Sequence, residues 1–336
     1  MVRLKDIAAR GGVSVMTVSK ALRGSSDIAA GTKARIRLLA DQLGYVPDSA
    51  AQGLRNRTTK LLGLILSTVA NPIFARTVSA IEERAHELGY DLILAHNLNM
   101  PEREEVCIRR LLSRRVDGIF IFPVYRLAPV AAIYEDLAKR RVPVVIMGHR
   151  APFCAQFHNV ETDDLHGSEL ITRHLLELGH GHIAFLCGPS SAPWAMERLE
   201  GYRRALRDAQ IGTDDRLLFQ AGNTIEDGEK AALQILHEAP TITAVQSASD
   251  LAAIGAANVF LNQGLRIPKD LSVAGFGNIL TSEHFRVPLT TVRQPKLRLG
   301  VAAMEMMQKL LRGEQPQPRR LPAEIVVRAS TGPPKS

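Results

Sequence analysis

Cysteine is scarce in this chain of 336 residues: three thiols, Cys107, Cys154 and Cys187, stand far apart without metal-ligand spacing. That excludes a disulfide framework and reads as isolated buried thiols in a reducing compartment. Long apolar runs are missing too. No stretch approaches the roughly 20 residues of a membrane span, and no apolar leader precedes the first charged residues, so the expected location is cytoplasmic and no membrane partner is called for. Catalytic signatures are absent as well. There is no G-x-S-x-G elbow and no zincin spacing. The close glycines and two histidines, His180 and His182, of "GHGHIAFLCG" (179–188) precede a strand, so they cannot form the strand-turn-helix loop that cradles a dinucleotide. The other histidines are scattered. The sequence therefore points away from an enzyme and calls for no catalytic group, metal or cofactor.

Carboxylates are scarce at one end only. Residues 1–60 hold eleven Lys and Arg against four Asp and no Glu, so this segment carries +7 of the chain's formal +8. Such a lopsided balance is the footprint of a unit that holds phosphates.

Within that unit lies "DIAARGGVSVMTVSKALRG", residues 6–24. Leu4, Ile7 and Ala8 recur at helical spacing, Gly12 suits a sharp turn, and Ser14 stands where an N-cap belongs. Val18, Ala21 and Leu22 then form the inward stripe of a second helix, with Val15, Met16, Thr17, Ser19 and Lys20 outward. A third amphipathic helix follows (Ile36, Leu39, Ala40, Leu43) and closes at Gly44. This is a helix-turn-helix whose second helix is offered to a major groove. A helical hairpin buried in a larger core would have no use for the concentrated positive charge. The next stretch, "YVPDSAAQGLRNRTTK" (45–60), stops the third helix at Pro47; Asp48 or Ser49 could cap a short new helix with Ala50, Ala51 and Leu54 on one side. Such a helix is too short to persist alone, and its leucine suits a wedge between base pairs.

From Leu61 the pattern changes to short apolar runs alternating with helical segments. The runs at 61–68, 90–97, 116–123 and 142–148 read as strands, and the cadence restarts at 182–188, 217–222, 244–249 and 271–277. Continuous apolar strands in βα alternation mean parallel sheets covered on both faces. The expected fold is therefore an all-α helix-turn-helix domain (1–46), a hinge (47–60) and an α/β core (61–332) of two doubly wound lobes. Two late strand-like segments, 289–295 and 323–330, imply that the chain crosses back between lobes. Expected bounds are 61–160 with 293–320 for one lobe and 161–292 with 321–332 for the other. Ligands in such sheets bind beyond the carboxyl ends of the strands.

Nearly the whole chain resembles the LacI/GalR transcriptional regulators. The motifs that carry the likeness are "LKDIAARGGVSVMTVSKALRG", "LGYVPDSAAQGLRNRTT", "NPIFARTVSAIEERAHELGYDLIL", "RVDGIFIFP", "LLELGHGHIAFLCGP", "RLEGYRRAL" and "VPLTTVRQP", in the family's order. The resemblance implies a homodimer on a near-palindromic operator in double-stranded DNA, and a periplasmic-binding-protein-like core that senses a small effector. A transport protein for solutes would share that core without the basic helix-turn-helix. By motif, Val15, Met16 and Lys20 are expected to read bases and Thr17 and Ser19 to make hydroxyl contacts. Lys5, Ser14, Arg23 and Ala51 join them at the DNA, and Leu54 matches the intercalating hinge leucine. Asn71, Phe74, Arg198, Asn223, Ser249 and Gln294 match effector-facing positions, with Trp194 in an adjoining loop. Departures are visible: Asp48 replaces Asn, Ala29 replaces a phosphate-capping Ser, Gly53 weakens the hinge helix, and Gly148 and Gly277 stand where sugar-binding relatives carry Asp. A cleft that keeps Arg198 and gains His149 and Arg150 while losing two carboxylates should lean positive, so the expected effector is a sugar acid or sugar phosphate. Pairing of Arg198 with a neighbouring carboxylate such as Glu161, Asp163 or Asp250 would leave a neutral ligand or none.

Overall fold

The computed structural model describes residues 2–46 and 58–335, and the chain divides into two compact units after Thr59. Asp48, Ala51, Gly53 and Leu54 lie outside the described residues.

The described residues of the first unit form three helices: α1 (Leu4–Gly11), α2 (Val15–Leu22) and α3 (Ala30–Gln42). Ile7, Val18, Ala21 and Ile36 are fully buried at its centre. Gly12 takes a left-handed conformation, φ 62°, that ends α1. Ser14 then caps α2, its hydroxyl accepting the Thr17 N–H at 3.1 Å. Because residue 29 is alanine, α3 begins with no side-chain cap.

The second unit carries two six-stranded sheets. The first follows the order β11-β5-β4-β3-β1-β2, built from β1 (Leu61–Leu66), β2 (Asp91–His96), β3 (Gly118–Ile121), β4 (Val144–Met147), β5 (His158–Thr162) and β11 (Arg319–Leu321). The second runs β12-β10-β9-β8-β6-β7, from β6 (Ile183–Cys187), β7 (Leu218–Gln220), β8 (Ala244–Ser247), β9 (Ser272–Gly277), β10 (Thr290–Arg293) and β12 (Glu324–Val326). Helices α4 (Ala75–Glu87), α5 (Pro101–Ser113), α6 (Ala132–Lys139) and α12 (Lys296–Leu311) cover the first sheet. The second is covered by α7 (Asp164–Glu177), α8 (Pro193–Asp208), α9 (Ile225–Glu238) and α10 (Asp250–Asn262), and the short α11 (Leu280–His284) follows β9. Strands such as β1, "LLGLIL", are apolar throughout because helices pack on both faces.

The chain changes lobe three times, at 162–164, 293–296 and 321–324. Both late strand-like segments join the second sheet, so the return to the first is made by α12 and β11, and β11 ("RRL") carries no apolar run that would announce it. All pairings are parallel except one: β12 lies antiparallel on β10, with Val292 opposite Ile325.

Candidate functional site

In the first unit, Val15 and Met16 are exposed at 46% and 58%. They stand at the open N-terminal end of α2, with Lys5 and Arg23 also exposed and Thr17, Ser19 and Lys20 half-buried. Two candidate contacts are already engaged within the unit. Ser14 is the helix cap and also shares a 2.9 Å hydrogen bond with Thr17 Oγ1, and Lys20 forms an ion pair with Asp27. That lysine holds the Asp27 carboxyl below its ordinary range.

In the second unit, loops at the carboxyl ends of both sheets enclose a cleft of about 1340 Å³, counting its open mouth. Asn71, Phe74, His149, Trp194, Arg198, Asn223, Ser249 and Gln294, though spread over 224 positions of sequence, all line it. Asn71 and Phe74 come from the loop after β1, His149 from the loop after β4, Trp194 and Arg198 from α8, Asn223 from the loop after β7, Ser249 from the start of α10 and Gln294 from the loop after β10. Phe74 meets Phe122 edge-on at 4.8 Å between ring centroids. Ser249 spends its hydroxyl capping α10, accepting Ala252 N–H at 3.2 Å.

Arg198 overturns the expectation of an unpaired cation. Its Nε and Nη2 both donate to Asp164 Oδ1, at 2.9 and 2.6 Å, and Nη1 donates to the Ala248 carbonyl. Its guanidinium also stacks on Phe276 and Trp194, 3.7 and 4.5 Å from the ring centroids, an arrangement that attracts a cation. Asp163 and Asp250 are not its partners. Asp163 caps α7. Asp250 does not cap α10: it is buried and accepts Ile279 N–H at 2.9 Å and the hydroxyls of Ser282 and Thr291 at 2.6 and 2.5 Å.

The expected positive balance does not hold either, because the other cations of the wall are also matched. Lys296, pushed down to about 8 by burial, donates to the carbonyls of Gly277 and Asn278 and is drawn by the charge of Asp250. His149 lies between two carboxylates of the other lobe, with Nε2 at 3.0 Å from Glu197 Oε2 and Nδ1 at 3.6 Å from Asp164 Oδ2. The Nε2–Oε2 approach is out of line for a hydrogen bond, and neither atom has another partner. Burial works against the imidazolium, but these carboxylates and Glu161 outweigh it and hold the His149 pKa above its ordinary value. Arg320 completes the set, donating to Glu161 at 2.8 Å and to Glu197. Arg150 instead points outward, exposed, to the Ala155 carbonyl.

The positions of the missing carboxylates are filled by other groups. A methyl group on Gly148 would lie 3.1 Å from Tyr125 Oη, and one on Gly277 3.1 Å from Ile73 Cδ1. Tyr125, Asp164, Lys296 and Asn97 line the cleft and Glu197 stands beside His149; motif reading missed all five. Asn97 is fully buried in the wall, and its Nδ2 has no partner. A tyrosine just past the β3 carboxyl end was a usable signal; the partners of Arg198 and His149, set by the meeting of the two lobes, left none. Two thiols are inert by burial, Cys154 and Cys187 both pushed up to about 11.

Residues 3–48 match the model of bacterial regulatory proteins of the lacI family, and residues 172–331 match a periplasmic binding protein-like domain. The chain is 31% identical to the HTH-type transcriptional repressor PurR of Vibrio atlanticus over 334 residues, covering 98% of each chain. Its fold matches the Lac repressor dimer bound to operator and the anti-inducer ONPF, with a TM-score of 0.87, 29% identity and coverage of 98% of this chain and 99% of that one. A complex of the transcriptional regulator CelR with cellobiose matches at a TM-score of 0.75 and 29% identity, covering 98% and 100%.

Proposed function

The chain belongs to the lacI family of bacterial regulatory proteins, and from that premise we propose that its cleft takes a neutral, polyhydroxylated ligand of the saccharide class. As a member, it is a DNA-binding transcriptional regulator with a helix-turn-helix unit and an effector-binding core. The observation that carries the ligand class is the pairing of Arg198 with Asp164. An anionic ligand would have to take Arg198 from Asp164 or meet Glu161 and Asp164 in the same wall, and either course costs charge burial. A neutral ligand meets no such charge. It finds amides at Asn97, Asn223 and Gln294 to exchange hydrogen bonds with hydroxyls, and rings at Phe74, Phe122 and Trp194 for an apolar face. A sugar acid or sugar phosphate is therefore set aside. The cellobiose bound by CelR is a ligand of the class proposed.

A thermal-shift screen of neutral mono- and disaccharides, sugar acids and sugar phosphates tests this reading. Neutral saccharides should raise Tm, and stabilisation by acids or phosphates alone would overturn it.

The regulator acts as a homodimer on near-palindromic DNA. Leu94 on the edge strand β2 and Leu98, Met100 and Val106 beyond it are exposed between 40% and 47%, an apolar group that a second copy would cover. Sedimentation as a monomer at micromolar concentration would contradict the dimer.

A further inference from the structure

Helices α5 and α6 both cover the first sheet and contribute to the cluster around Ile108, Leu111, Ile133 and Leu137. They end in the same way. Each closes in a Schellman turn: Val116 N–H reaches Leu111 O, and Val142 N–H reaches Leu137 O, both at 3.4 Å. Both turns read Arg-Arg-Val and lead directly into neighbouring strands, β3 and β4.

The left-handed residue of each turn is an arginine, Arg115 with φ 54° and Arg141 with φ 55°. At the same place after α4, α7, α10 and α12 the chain uses Gly89, Gly179, Gly264 and Gly313, the residue that adopts this conformation without strain, and after α8 it uses Gln210 with φ 59°. Arginine there is strained backbone, which argues for a use of the side chain. Attraction of cations to a helix C-terminus does not account for it. That attraction is confined to the last turn, and Arg110 and Arg114 on α5, with Lys139 and Arg140 on α6, already supply it. All six cations are exposed. Arg140 pairs with Asp136, whereas Arg110, Arg114, Lys139 and Arg141 have no carboxylate partner among the described residues.

This corner is also where the chain enters the second unit. Lys60 N–H donates to Asp117 Oδ2 at 3.0 Å, and Asp117 N–H donates to Leu61 O at 2.8 Å, so β1 starts beside the Arg-Arg-Val turn of β3.

We propose that the paired Arg-Arg-Val turns of the first lobe form a second, sequence-independent contact for the phosphate backbone of duplex DNA lying outside the half-sites. The lobe's double row of guanidinium groups suits phosphate oxygens, which arginine binds through its planar fork. This contact carries no base information. It adds affinity and salt dependence to whatever the helix-turn-helix reads.

The test compares the full-length protein with a triple variant, R110A/R114A/R141G, on mixed-sequence duplexes of two lengths. A duplex of about 20 base pairs accommodates two half-sites one helical turn apart; the other is extended by an equal length of flank on each side. On the long duplex the variant should bind several-fold more weakly, and its log-log salt slope should be shallower by about 1 for each arginine that touches a phosphate. On the short duplex it should match the wild type. Arg141→Gly alone should leave Tm unchanged or higher, because it removes a strained residue. Equal slopes for variant and wild type on the long duplex overturn the proposal. So does an equal loss on both lengths, or a loss that follows a fall in Tm, since the arginines would then serve the fold or the half-site contact.

Discussion

At the scale of single residues, the cleft is governed by charges that lie in different lobes and answer one another. His149 shows how. It sits on the loop after β4, yet the carboxylates that face it, Asp164 and Glu197, belong to α7 and α8, with Glu161 and Arg320 beside them on the first sheet. Since its pKa in the folded chain lies above the ordinary 6.5, the charged ring contributes stability that is fully present below pH 6.5 and lost as the pH rises through the raised value. The His149→Gln variant should therefore be less stable than the wild type at about pH 6, with the gap narrowing by about pH 8.5. Denaturant midpoints at the two pH values check this, and a gap that is constant or widens with pH would refute the assignment. Six of the eight cleft-lining candidates were legible from their place just past a strand, and Trp194 and Arg198 from the segment that becomes α8. Asp164 was not, because the 34 positions between it and Arg198 are closed only by the fold.

Among the elements, close helix crossings made by glycine hold the second lobe together. Gly228 of α9 and Gly255 of α10 face each other's helices: a methyl group on Gly255 would lie 2.0 Å from the Ile225 carbonyl oxygen, and one on Gly228 2.1 Å from that of Ala252. Backbone cannot move aside as a side chain can. Gly255→Ala should cost about 1–3 kcal/mol or more by overpacking, seen as a Tm lower by several degrees. An unchanged Tm would mean that the helices part without penalty. Apolar runs made most strands readable in the sequence, since a strand covered on both faces must be apolar at every position. Two strands escaped because they have no continuous apolar run, His158–Thr162 in the first sheet and Arg319–Leu321 at its edge. Glu324–Val326 was readable as a strand, but its antiparallel direction is not encoded by its residues. The small helical domain was legible down to its cap, because Gly12 and Ser14 act locally.

Over the whole molecule, a segment with +7 of the net charge is joined in sequence to a nearly neutral core whose cleft is built from both lobes. A ligand in that cleft touches residues of each lobe and so favours one lobe arrangement over another. It can alter DNA affinity only by as much as its affinity differs between those arrangements. Composition and motif order revealed the division of labour. The charge balance of the cleft was misread from sequence because it depends on which carboxylates the folded lobes bring to Arg198. The most direct measurement takes genomic fragments retained by the full-length protein and determines their affinity with and without a neutral saccharide that raises Tm. The account predicts a change of about 5- to 150-fold in Kd, the range of ordinary coupling between sites. A saccharide that stabilises the protein while leaving the affinity for those fragments unchanged would contradict it.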